Sequence, residues 1–84
     1  MELMQDRVLK IEDIYVPVKR RKSLDPTRVD ELADSILESG QKTPIQVRPD
    51  DKGYVLVEGL HRLEACKALG ETTIVALVVQ ARRK

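Results

Sequence analysis

The chain has 84 residues, with 15 lysines and arginines against 14 aspartates and glutamates, which gives a formal net charge of +1. This length predicts one domain over residues 1–84, and the balanced charge gives no large positive excess for a polyanion. No apolar run approaches the roughly 20 residues of a membrane span, and the N-terminus lacks a signal peptide's apolar stretch. We therefore expect no membrane association and a cytoplasmic location. One cysteine and one histidine exclude an intramolecular disulfide and cannot complete a structural zinc site.

The first half of the chain predicts an extended segment and then a helix. Residues 7–16 alternate loosely and contain many β-branched side chains, which favours a strand or an extended entry segment. The basic residues 19–22 follow Pro17 and predict a loop, either solvated or functional. Asp25 is a good helix N-cap and is followed by a proline suited to the first helical position. Apolar residues then recur at helical spacing until a glycine, which predicts a helix over 26–39. These apolar residues are Val29, Leu32, Ala33, Ile36 and Leu37.

The second half predicts a hairpin, a helix and a last strand. A strand over 45–48 should end at Pro49, and turn-forming residues lead into a returning strand over 54–57. A helix is predicted over 60–69. Residues 73–79 are apolar without alternation, which favours a strand that is buried on both faces. The order β-α-β-β-α-β predicts a small two-layer α/β domain with a mixed sheet.

The residues that point to chemistry lie where the returning strand meets the second helix. Gly59 allows a tight turn, and the free amides and dipole of a helix start favour an anion. Arg62 can supply a bidentate guanidinium, and His61 can add a donor. These features predict a phosphate cradle. A Gly followed by His-Arg is also common on ordinary protein surfaces, so the residues alone leave both interpretations open.

The motifs, taken in order, resemble the ParB/sulfiredoxin superfamily over residues 11–79. The matching blocks are LDPTRVDELADSI, the pattern Gly-x-x-x-Pro-Ile-x-Val from Gly40, Gly59-Leu60-His61-Arg62, Glu64-Ala65 and Leu69-Gly70. The resemblance implies a ParB/sulfiredoxin-like fold and leaves the basic residues 82–84 as a tail. The His-Arg pair is similar to the Gly-Cys-His-Arg motif of sulfiredoxins, whereas ParB amino-terminal domains usually have Gly-Glu-Arg-Arg.

The resemblance implies a set of nucleotide-binding residues. It assigns contacts with nucleotide phosphates to the cradle, and further contacts to Arg28 and Ser35 on the first helix. Glu31 stands where sulfiredoxins have a serine, and residues 28, 31 and 35 share one helical stripe. The alternative is that Arg28 and Glu31 form a solvated surface pair. The cradle residues are Gly59, Leu60, His61 and Arg62.

The main departure from the family is Leu60. Sulfiredoxins have their nucleophilic cysteine at this position, and ParB proteins have a glutamate that the family uses around the metal and triphosphate. A leucine can supply neither group, so we expect no sulfinic acid reductase activity. Cys66 does not replace that cysteine, because it falls on the apolar face of the second helix and is expected to be a small core residue.

Two functions remain in competition. The first is binding of nucleotide phosphates, from ATP or CTP and with Mg²⁺ as a further expectation, together with weak hydrolysis or phosphoryl transfer. A free serine kinase in the superfamily also has a motif that ends in His-Arg, and Glu58 is the nearest candidate acid here. The second is a DNA-associated partition or regulatory domain in which nucleotide acts as a switch. DNA would then meet Lys19, Arg20, Arg21 and Lys22. Another protein or a second copy is a further candidate partner, and no dedicated metal site is expected.

Overall fold

The computed structural model describes residues 6–41 and 43–79. Its strands are β1 (Asp6–Lys10), β2 (Ile14–Tyr15), β3 (Ile45–Asp50), β4 (Gly53–Glu58) and β5 (Thr73–Val78). Its helices are α1 (Val18–Arg21), α2 (Pro26–Ser39) and α3 (Leu60–Ala68). The predicted basic tail, residues 82–84, lies outside the described residues, and one domain over residues 1–84 stays a prediction. Within the described ranges, no helix is long and apolar enough to cross a membrane.

The five strands form one mixed sheet in the order β1-β5-β3-β4-β2. β1 pairs with β5 and β3 pairs with β4 in antiparallel fashion, whereas β3 with β5 and β2 with β4 run parallel. α2 packs against α3, and α3 packs against the sheet at β3. The predicted two-layer α/β architecture with a mixed sheet is therefore confirmed.

The helix α2 begins and ends where its local sequence predicts. The side chain of Asp25 accepts a hydrogen bond of 3.0 Å from the Thr27 amide, which caps the helix. Pro26 occupies the first turn, and the amide of Gly40 donates to the Ile36 carbonyl at the other end. The predicted bounds of 26–39 are confirmed, and the second predicted helix ends at Ala68 rather than at residue 69.

The strand or extended entry segment predicted over residues 7–16 is interrupted in the structure. A 3-10 turn at Ile11–Asp13 separates β1 from β2, and these two strands lie at opposite edges of the sheet. The Ile11 amide donates to the carbonyl of Thr72 next to β5, whereas Ile14 already pairs with β4. The chain divides because its two halves hydrogen-bond to different strands, which alternation within the segment does not reveal.

Two further local predictions need correction. The basic segment 19–22 is not simply a loop, because Val18–Arg21 forms the short helix α1. The carbonyl of Pro17 accepts bonds from the Arg20 and Arg21 amides, at 3.0 and 3.3 Å. Pro49 does not end β3, which continues to Asp50. Since β5 pairs with β3 only as far as Val47, Pro49 lies where β3 has one strand neighbour and its missing amide is tolerated.

The hydrophobic core lies between the sheet and the helices. Ile45, Val47 and Leu63 are its largest fully buried side chains. The prediction that the last strand is buried on both faces is wrong, because Val75 and Leu77 are only half-buried. Among the described elements the helices cover one face of the sheet, and the other face of β5 is therefore less enclosed. Leu37, predicted on the apolar face of α2, is 75% exposed.

Candidate functional site

A cleft of 620 Å³ opens where β4 passes into α3. It is bounded by the N-terminal halves of α2 and α3, the segment around α1 and the loop that enters β3. The register of the hairpin places Gln46 opposite Glu58, so that the start of β3 lies beside the end of β4. The lining residues are Arg20, Ser23, Arg28, Leu32, Thr43, Pro44, Gln46, Glu58, Gly59, Leu60, His61 and Arg62.

Gly59 forms the sharp turn at the base of the cleft. Its φ of +106° lies in the left-handed region, which favours glycine. A Cβ atom here would lie 2.7 Å from Cγ2 and 2.9 Å from Cβ of Ile45, a fully buried residue. The Gly59 carbonyl accepts the first hydrogen bond of α3 from the Leu63 amide, at 2.9 Å. The absent side chain therefore lets α3 begin directly against β3, with its first amides beside the cleft.

Three guanidinium groups and one carboxylate line the cleft. The carboxylate belongs to Glu58, whose Oε2 lies 3.8 Å from Nη1 of Arg20. Both side chains are well exposed, at 64% and 41%, so this ion pair contributes at most about 1 kcal/mol. Within the part of the chain that the structure describes, Arg28 and Arg62 form no ion pair, and the alternative pairing of Arg28 with Glu31 is not observed. The cleft therefore has an excess of positive charge.

His61 connects the beginnings of the two long helices. Its Nε2 accepts a 2.9 Å hydrogen bond from the backbone amide of Asp25, the N-cap of α2. An accepting Nε2 requires the neutral ring with its proton on Nδ1. If His61 donates a hydrogen bond to an anion, the donor must be Nδ1, because Nε2 already accepts the bond from Asp25. The same bond fixes where Arg28 on α2 lies relative to Arg62 on α3.

Gln41 holds the loop that forms one wall of the cleft. Its side-chain Nε2 donates to the carbonyls of Thr43 and Val75, and its Oε1 accepts from the Val75 amide, all at 2.9 Å. The side-chain amide thereby pairs with β5 as a neighbouring strand would. Thr43 and Pro44, which line the cleft, lie two and three residues further along the chain. Gln41 is thus a positioning residue for this wall.

The structure brings together most, though not all, of the predicted site residues. Gly59, Leu60, His61 and Arg62 line the cleft with Arg28, and so do Glu58 and Arg20. Ser35 lies outside the lining and is exposed, because it is two helical turns beyond Arg28, about 10 Å along α2. Lys19, Arg21 and Lys22 are also exposed and outside the lining, so the basic segment contributes only Arg20.

Sequence reasoning missed five lining residues. Leu32 and Pro44 had been noticed only as a helix residue and as part of a family block. Gln46 becomes part of the site through its register with Glu58, which local patterns do not give. Nothing in the sequence pattern points to Ser23 or Thr43, whose places depend on how α1 and the loop before β3 pack.

Leu60 and Cys66 both belong to the hydrophobic core. Leu60 is 7% exposed and packs in the core cluster while also lining the cleft. Cys66 is 3% exposed, as predicted for a core residue. Burial raises the pKa of its thiol, the Glu71 carboxylate raises this pKa further, and Arg62 acts in the opposite direction. Cys66 is therefore a poor nucleophile at neutral pH.

The described residues 6–41 and 43–79 contain no cluster of side chains that could serve as metal ligands. No group of three or more histidine, cysteine, aspartate or glutamate side chains is close enough there to hold a metal ion. Glu58 is the single carboxylate among the lining residues of the cleft. Any divalent cation beside Glu58 in the cleft would therefore need further oxygen ligands, such as those of a phosphate group or of water.

Comparison with known proteins places the chain beside partition proteins and sulfiredoxins. Residues 2–84 match the family model described as the ParB N-terminal domain. A probable chromosome-partitioning protein ParB from Campylobacter jejuni is 39% identical over 75 residues, which are 88% of this chain and 27% of that protein. The chloroplastic/mitochondrial sulfiredoxin of Arabidopsis thaliana is 42% identical over 66 residues, 79% of this chain and 53% of that one.

Solved structures give the same two relationships. The crystal structure of Arabidopsis thaliana sulfiredoxin aligns with a TM-score of 0.82 and 36% identity, over 92% of this chain and 86% of that one. A truncated chromosome-partitioning protein ParB from Caulobacter crescentus, complexed with CTP-γ-S, aligns with a TM-score of 0.79 and 28% identity. That alignment covers 93% of this chain and 46% of the other. The chain spans about a quarter to a half of the length of the curated relatives described above.

Proposed function

Because the chain belongs to the ParB N-terminal domain family, we propose that its cleft binds the phosphates of a nucleoside triphosphate, ATP or CTP, with or without Mg²⁺. The observation that carries this proposal is the set of three arginines around a helix start, which the absent side chain of Gly59 lets lie directly against β3. The similar Caulobacter protein was crystallised with a CTP analogue, which supports it.

Each side chain has a distinct part in the proposed complex. Arg62 supplies a planar fork for phosphate oxygens beside the first amides of α3. Arg28 adds charge from the opposite wall, and His61 donates through Nδ1 while its Nε2 remains bound to the Asp25 amide. Ser35, which lies outside the lining, stays a prediction from the resemblance alone.

The cleft is better equipped for holding phosphates than for strong catalysis. Hydrolysis or phosphoryl transfer would rely on positioning and on charge neutralisation by the arginines. Glu58 is the candidate to accept a proton or to help hold Mg²⁺, but it also lies beside Arg20. We therefore propose at most a weak NTPase or phosphotransferase activity. Sulfinic acid reduction by the family's route is not part of the proposal, because Leu60 has no thiol.

The experiment is a calorimetric titration of the chain with ATP, CTP and GTP, each with and without Mg²⁺. Replacing Arg62 by alanine should weaken binding of the preferred nucleotide by about 1.5–3 kcal/mol, or roughly 10- to 150-fold. Arg48→Ala is the matched control, because it removes the same charge from an exposed position on β3 outside the cleft lining. Equal affinities of the two folded variants would refute the phosphate site.

The second candidate is a DNA-associated partition or transcription-regulatory domain that uses nucleotide as a switch. Two observations favour it: the similarity to chromosome-partitioning proteins, and the exposure of three basic residues in and directly after α1, namely Lys19, Arg21 and Lys22. A cytoplasmic location is part of both candidates.

DNA binding can be tested through its dependence on salt. Replacing Arg21 and Lys22 together by alanine should reduce the slope of log affinity against log salt by up to about 2. The matched control removes the charges of Arg48 and Lys52, which lie in the β3–β4 hairpin. Absence of salt-dependent binding of duplex DNA by the wild-type chain at micromolar concentration would reject this function for the chain.

A further inference from the structure

The strand β1 forms one edge of the sheet and shows a regular division of its side chains. Leu9 packs against the core, whereas Asp6, Val8 and Lys10 alternate with it and share the opposite face. Val8 is 68% exposed although it is apolar. The outer face of β1 therefore presents an acidic, an apolar and a basic side chain in this order along the strand. Among the described residues, β5 is the strand neighbour of β1, and its other side has none.

The hydrogen bonds of β5 show which backbone groups of β1 point outward. Val75, the partner of Val8 in the register, uses both its amide and its carbonyl to bind Gln41. Two residues directly opposite each other in an antiparallel pair either exchange both backbone hydrogen bonds, or each directs its amide and carbonyl away from the other strand. Val8 therefore directs its amide and its carbonyl toward the free edge. The inward bond from Ile11 to Thr72 confirms this alternation, which also turns Asp6 and Lys10 outward.

We propose that β1 is a self-association surface, which pairs antiparallel with β1 of a second copy around a two-fold axis at Val8. In this register the two Val8 residues exchange both backbone bonds, and Asp6 of each copy lies opposite Lys10 of the other. All outward-directed amides and carbonyls of the three residues then have partners. The two sheets become continuous, and the exposed Val8 side chains pack against each other on one face.

Charge complementarity selects a second copy as the occupant. An antiparallel pair centred on Val8 brings unlike charges together twice, whereas a parallel pair in register would oppose like charges, which is unfavourable. A five-residue strand buries less than the roughly 800 Å² per partner of a standard interface, so the dimer is weak. We therefore expect self-association only at high concentrations of the chain.

The test is sedimentation equilibrium of the 84-residue chain up to millimolar concentration. The wild-type average mass should rise from 9.5 kDa toward twice that value. Val8→Pro removes an amide that faces the free edge, so the monomer should keep its circular dichroism spectrum while the dimer is lost. A wild-type mass that stays at 9.5 kDa at 1 mM would overturn the proposal.

Charge reversal tests the register independently of how Val8→Pro folds. Lys10→Asp places acids opposite each other at two points of the dimer and should weaken association at least about fourfold. Adding Asp6→Lys to the same chain restores both unlike pairs and should return the wild-type affinity. Lys52→Asp, the same charge change in the exposed β3–β4 turn, should leave association unchanged. A double variant as weak as the single one would overturn the antiparallel register.

Discussion

Replacing Gly59 by alanine tests whether the turn at the base of the cleft depends on the absence of a side chain. The positive φ of +106° costs an alanine about 1–2 kcal/mol. The new Cβ would also lie 2.7 Å from Cγ2 of the fully buried Ile45, and relieving such an overlap costs about 1–3 kcal/mol more. The free energy of unfolding should therefore fall by about 2–5 kcal/mol. Urea denaturation followed by circular dichroism measures this loss.

Gly70→Ala is the matched control for the backbone cost alone. Gly70 has a φ of +82°, yet a Cβ atom there would have no neighbour within 4 Å. This variant should lose only about 1–2 kcal/mol, and the difference between the two variants isolates the contact with Ile45. Equal losses would refute the reasoning, because they would mean that Ile45 moves aside at no cost.

The two thiol-related predictions concern α3. Position 60 lines the cleft although it is largely buried, whereas Cys66 is not among the lining residues. A cysteine introduced by Leu60→Cys should therefore react with iodoacetamide at neutral pH faster than Cys66, because the cleft gives access to it and the helix start and Arg62 favour its thiolate. The labelling is measured by peptide mass spectrometry. Faster labelling of Cys66 would contradict the placement of the site at the start of α3. The raised pKa of Cys66 in the folded chain means that its contribution to stability is complete below the ordinary thiol pKa and is lost as pH rises through the folded value. The urea concentration at the unfolding midpoint should therefore decrease as the pH is raised above about 8.5. This decrease should be smaller in the variant Cys66→Ala.

The parts of the fold that could be predicted from the sequence are those with local causes. The ends of α2 follow from the cap at Asp25 and the glycine at position 40, and both act within a few residues. The division of residues 7–16 into β1 and β2 could not be predicted, because it depends on pairing with β5 and β4 far along the chain. Likewise, the exposure of Leu37 depends on which helix covers α2, and helical spacing alone does not reveal it.

The candidate site was predictable to the extent that it is contiguous. Gly59 to Arg62 form one short motif, and the structure places all four in the cleft lining. Arg28 came from the resemblance, since spacing on one helix cannot say which pocket that helix borders. Arg20 was predicted with a basic segment for DNA, whereas its guanidinium lies beside Glu58 in the cleft. Packing of α1 separates it from its neighbours in the sequence.

The geometry also explains how a leucine can occupy position 60 while the rest of the cleft is kept. Leu60 is buried in the core cluster, and burying a side chain of this size contributes about 1.5–3 kcal/mol to stability. The amides of the first turn, by contrast, are supplied by the backbone whatever side chain stands there. The proposed phosphate binding would therefore rely on Gly59, the arginines and the bond between His61 and Asp25, and it would not require a thiol at position 60. A leucine at position 60 therefore packs in the core, supplies no thiol, and leaves the groups of the proposed anion site in place.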